Sequence, residues 1–98
     1  MKKFAFLLMG AHYDPAADRA VFETARGLTA IRTVRSLDEA AALAVSLADE
    51  GYGAIELCGA FGEAGARRLI EATDGRVAVG YVVHLPEQDA LFDAFFGG

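Results

Sequence analysis

The chain has 98 residues, enough for one domain with a single core and little beyond it. Its net charge of −5 argues against nucleic acid or an anionic membrane surface as the main partner. One cysteine excludes an internal disulfide and fits a reducing, cytoplasmic setting, and no apolar run approaches the roughly 20 residues of a membrane span. The high hydrophobic content includes 20 alanines, which permit close packing but bury little area each.

Phe4 to Met9 is continuously apolar and reads as a central strand covered on both faces. The preceding Lys2-Lys3 gives the start a superficial likeness to a signal peptide, but the apolar run is short and no Ala-x-Ala site follows. Gly10 to Tyr13 is a loop. Asp14 and Pro15 read as an N-cap and a first-turn proline, opening a helix with Ala17, Val21, Phe22 and Ala25 inward and Gly27 as its stop.

Leu28 to Arg35 alternates, with Thr29, Ile31, Thr33 and Arg35 on one face and Arg32 interrupting the other, which suits an edge strand. Ser36 and Glu39 form a capping box for a helix from Leu37 to about Glu50, ended by Gly51. Its inward stripe is Leu37, Ala40, Ala41, Ala44, Leu47 and Ala48.

The stretch Gly51 to Ile70 is the most informative. Ala54 to Cys58 is a short apolar strand between glycines, interrupted by one carboxylate, Glu56, which alternation places with Ala54 and Cys58. Gly59, Gly62 and Gly65 follow at intervals of three and lead into a helix from about Gly62 to Thr73, closed by Asp74-Gly75. Glu63 and Arg67 make an i,i+4 pair on it. Val77 to Val83 is the fourth strand. A last helix begins at Pro86 with Leu91, Phe92, Phe95 and Phe96 as its apolar stripe and ends at Gly97-Gly98. That stripe docks on the core or on another subunit; an exposed phenylalanine pair would favour the second.

The order β-α-β-α-β-α-β-α predicts a single small three-layer α/β domain over residues 1–98. Its four-stranded, mainly parallel sheet takes the order 2-1-3-4 with helices on both faces, a flavodoxin-like or Rossmann-like half. A four-strand half of a (β/α) barrel completed by a partner chain would give a similar pattern.

In such a sheet a ligand binds at the carboxyl ends of the strands. That edge gathers His12, Tyr13 and Asp14, the run from Cys58 through Gly59, Gly62 and Gly65, and His84. The leading expectation is a small anionic metabolite at the Gly59–Gly65 corner, with Arg67 or Arg68 as counter-charge. A second is an enzyme, an isomerase, lyase or hydrolase, in which Glu56 and His84 transfer protons. A third is a non-catalytic homo-oligomeric module joined through the phenylalanine stripe.

Each residue also has a plainer role. Glu56 could sit in an ion pair with an arginine, Cys58 could be inert packing, and Asp14 could be only a helix cap. The two histidines lack tight metal-ligand spacing, so no metal site is assigned. The glycine corner is neither the Gly-x-Gly-x-x-Gly dinucleotide fingerprint nor a P-loop, so no cofactor is assigned either.

The segments KFAFLLMGAHYDP, RSLDEAAALAVSLADEGYGAIELCGAFGEAGARRLIEAT and VGYVVHLPEQDALFDAFF together resemble a family of small bacterial proteins catalogued only as a domain of unknown function. The resemblance covers nearly the whole chain. It implies a small soluble stand-alone domain and carries no catalytic residues across. A response-regulator receiver is disfavoured by the missing acidic pair after the first strand, and a corrinoid-binding domain by the missing Asp-x-His-x-x-Gly.

Overall fold

A computed structural model describes residues 1–97. Its elements are β1 (Lys2–Met9), β2 (Ala20–Thr24), β3 (Gly27–Val34), α1 (Leu37–Asp49), β4 (Ala54–Leu57), α2 (Gly62–Ala72), β5 (Ala78–Tyr81) and, after a 3-10 turn at Pro86–Gln88, α3 (Asp89–Phe96). The sheet has five strands in the order β2-β3-β1-β4-β5. β3, β1, β4 and β5 run parallel, which reproduces the predicted 2-1-3-4 order, while β2 pairs antiparallel with β3.

The strand β2 overturns the predicted first helix. Asp14 does cap a turn: its Oδ1 accepts from the Ala16 amide at 3.0 Å, and its carbonyl accepts from the amides of Ala17 and Asp18. The turn stops there, and Ala20–Thr24 extends into a hairpin with β3 through Ala25 and Arg26. Val21 and Phe22, β-branched and aromatic, are at ease on a pleated surface, and pairing satisfies the outer edge that β3 would otherwise leave open.

Gly27 makes the hairpin fit. Its φ is +148°, and a Cβ there would fall 2.0 Å from the Lys2 carbonyl oxygen of the neighbouring strand. Only glycine lets the two backbones approach so closely.

The prediction of helices on both faces also fails. Register alignment puts Ala5 and Leu7 with Ala30, Ile55 and Leu57 on one face, and these are buried. That face is covered by α1 and α2 through Ala40, Ala44, Leu47, Ala66 and Leu69, and the two helices pack against each other. The capping box takes an altered form. Ser36 Oγ accepts from the Glu39 amide at 3.2 Å, but Glu39 reaches back to the amide of Arg35, at 2.9 Å, one residue before the cap. α1 ends as expected, with the Gly51 and Tyr52 amides donating to the carbonyls of Ala48 and Leu47.

The opposite face carries Phe4, Phe6 and Leu8 from β1, Thr29 and Ile31 from β3, and Ala54 and Glu56 from β4. All of these are half-buried, and neither α1 nor α2 lies over them. α3 covers neither face: its substantial packing is with the 3-10 turn before it, and Leu91, Phe92, Phe95 and Phe96 are exposed. No helix among the described residues is long and apolar enough to cross a membrane.

Candidate functional site

A shallow, open basin of about 380 Å³ lies on the open face, at the carboxyl ends of β1 and β3. Leu8, Ala20 and Ile31 form its apolar floor, and His12, Tyr13, Asp18, Arg19 and Thr33 supply the polar wall. Residues 10–19 hold this shape because they are tied to the sheet at two points. The Gly10 amide donates to the Val34 carbonyl at 3.0 Å, and buried Thr33 donates its hydroxyl to the Asp18 carbonyl at 2.8 Å. Between these ties the Asp14 amide donates to Asp18 Oδ2 at 2.8 Å, so the two carboxylates of the loop brace it from within. The His12 and Tyr13 rings lie together, with centroids 4.1 Å apart.

Arg19 is exposed at the basin wall and takes part in no ion pair among the described residues. Arg32 lies on the covered face, beside Leu7 in register. Partial burial lowers its pKa from the usual guanidinium value, with repulsion from Arg19 as the next cause.

The other residues singled out from the sequence do not converge on this basin. Arg67 pairs with Glu63 on α2 at 2.7 Å, and Arg68 reaches Asp38 on α1 at 2.8 Å, so both cations expected at the glycine corner already have partners. Gly65 serves packing: a Cβ there would meet Phe61 at 3.0 Å and Leu37 at 3.3 Å. Gly62 opens α2 with a φ of +63°, and Gly59 stands apart from side chains. Cys58 Sγ accepts from the Met9 amide at 3.4 Å and packs against the core.

Glu56 sits on the open face beside Phe6, one strand from the basin floor. His84 is elsewhere. Its Nε2 is 2.7 Å from Asp89 Oδ1, and its ring stacks on Phe92 at a centroid distance of 4.0 Å. No ion pair among the described residues joins His84 to Glu56, and no group of three or more metal-ligating side chains occurs among them.

Of the site residues expected from the sequence, His12 and Tyr13 line the basin, because they follow the first strand. Asp18 and Arg19 line it too, though the sequence reading did not single them out; they fall within the predicted first helix. Thr33 carried a usable signal, since it alternates with Ile31 on one face, but its partner loop was hidden with the helix.

A family of unknown function (DUF6506) matches residues 2–97. The chain belongs to that family. No curated protein and no solved structure matches it. Membership in DUF6506 therefore extends over the sheet, the basin and α3 alike.

Proposed function

We propose that this member of DUF6506 binds a small anionic metabolite with an apolar body in the basin at the ends of β1 and β3. The observation that carries the reading is Arg19, which is in no ion pair among the described residues, lining one basin with the apolar Leu8 and Ile31. An acid pairs with the cation, while His12 and Tyr13 offer ring faces and further hydrogen bonds. This moves the site from the glycine corner to the other side of β1.

The test is a thermal-shift panel of small carboxylates and phosphates on the wild type, Arg19→Gln and Arg67→Gln. A true ligand at a hundredfold over its dissociation constant stabilises by about 2.7 kcal/mol. The shift is expected to vanish in Arg19→Gln and persist in Arg67→Gln. The reverse pattern would return the site to the glycine corner, and no shift with any compound would end the proposal.

A second reading adds chemistry. Glu56 shares the open face with the basin floor and takes part in no ion pair among the described residues. A proton-transfer enzyme of this kind relies on Glu56 without His84. Glu56→Gln then keeps the ligand shift and loses turnover.

A further inference from the structure

Two apolar surfaces of this chain are left partly open by its own fold. The first is the sheet face centred on Phe4, Phe6 and Ile31, which no helix covers. The second is α3, where Leu91 is 66% exposed, Phe95 81% and Phe96 74%. An eight-residue helix that packs on little besides the preceding turn and the His84 ring is unstable in water, because too few hydrogen bonds repay its nucleation. The Phe95 and Phe96 rings meet only edge to face, at 4.8 Å, which leaves most of their area to solvent.

The Glu56 carboxylate lies within the sheet face, but the charges around its margin complement those of α3. From Val77 to Gly97 the chain carries Glu87, Asp89 and Asp93 and no lysine or arginine. Residues 1–35, which supply β1, β2 and β3, hold six basic residues against three acidic ones. Of these, Lys2 shares the face of Phe4, Arg19 leads into β2 and Arg26 sits in the hairpin; none of the three is in an ion pair among the described residues.

We propose that the open sheet face receives α3 from a second copy of this chain, and that the exchange is reciprocal. A two-fold axis lets one contact bury both surfaces of both chains, with the acidic flank of each helix against the basic rim of the opposite sheet. The helix finds in trans the packing it lacks in its own subunit. The docking face shares Ile31 and Arg19 with the basin, but the mass of the chain and the cross-link are read without any ligand, so this inference and the ligand reading can fail separately.

The experiment is sedimentation equilibrium of the full chain at micromolar concentration, wild type beside Leu91→Asp/Phe95→Asp. The wild type is expected at twice the mass of one chain. The double variant is expected as a folded monomer by circular dichroism, because neither side chain packs on its own core. Cross-linking identifies the surface: in a Cys58→Ser background, a chain with Phe6→Cys is mixed with one carrying Phe95→Cys and oxidised. A one-to-one disulfide dimer supports the proposal. A monomeric wild type, a dimer that survives the aspartates, no mixed disulfide, or an intramolecular disulfide in a monomeric chain carrying both Phe6→Cys and Phe95→Cys overturns it.

Discussion

The carboxylate of Glu56 lies over Gly80 on the neighbouring strand, in the space a side chain there would need. A Cβ placed on Gly80 falls 2.9 Å from Glu56 Oε2 and 3.0 Å from Oε1, and the two residues are direct partners in the β4–β5 register. A glycine inside a strand weakens it unless another group approaches closely. The glutamate in β4 and the glycine in β5 are thus one feature, a charged side chain folded flat across the open face.

That contact predicts a measurable coupling. In Gly80→Ala the carboxylate is displaced, but it ends a flexible side chain, so the loss stays within about 1 kcal/mol. In a Glu56→Ala background the same change is expected to stabilise by about 0.4–1 kcal/mol, because the unfolded chain loses freedom and nothing is displaced. Urea melts of the four proteins give the cycle. Additivity to within about 0.3 kcal/mol would show that the two residues do not touch.

Glu56→Gln alone is expected to leave stability within about 0.5 kcal/mol of the wild type, since no ion pair among the described residues is broken. A large loss in a urea melt would instead reveal a cationic partner for Glu56, the ion-pair role the sequence allows.

Gly27 and Gly53 form a contrasting pair. Gly27→Ala meets the Lys2 carbonyl at 2.0 Å with φ at +148°, and backbone cannot move aside as a side chain can. It is expected to cost roughly 2–4 kcal/mol. Gly53→Ala meets nothing within 4 Å, so its melt should nearly overlay the wild type. Equal midpoints for the two variants would contradict the close β1–β3 approach at the hairpin.

The parallel core was legible because its signals are local and redundant. Apolar runs at Phe4–Met9 and, but for Glu56, Ala54–Leu57, with Ser36 as a helix start and Gly51 and Gly75 as stops, leave little freedom for β1, β4, α1 and α2. β2 was not legible, because residues 17–25 satisfy both periods. Ala17, Val21, Phe22 and Ala25 make a helical stripe, while Val21 and Glu23 alternate with Phe22 and Thr24. What decides is the free edge of β3, which no local window contains. The bare sheet face was missed for a related reason: Phe4, Phe6 and Leu8 are as apolar as Ala5 and Leu7, so the strand reads as covered twice whatever does the covering. At the site, His12 and Tyr13 needed only the end of β1, whereas Arg19 became visible once the false helix was removed. The pairing of His84 with Asp89 depends on the turn at Pro86, and the strand pattern gave no hint of it.

The start of α1 gives the last prediction, and it separates a neutral cap from a charged one. Ser36 Oγ accepts the Glu39 amide, while the Glu39 carboxylate accepts the Arg35 amide at 2.9 Å and its guanidinium at 2.9 Å and 3.1 Å. These bonds to Arg35 hold the Glu39 carboxyl below the usual glutamate range. A carboxyl lowered in the folded state binds its proton less readily there than in the unfolded chain. Its contribution is therefore present at neutral pH and disappears as pH falls through the folded value. Ser36→Ala removes only the hydroxyl acceptor and is expected to cost about 1 kcal/mol at every pH. Glu39→Gln should be less stable than the wild type at neutral pH, and the gap should close in acid as the wild-type carboxyl takes up its proton. Urea midpoints for the three proteins across that range check both statements; a Glu39→Gln deficit that stays constant into acid would mean the carboxylate charge has no part in holding the helix start.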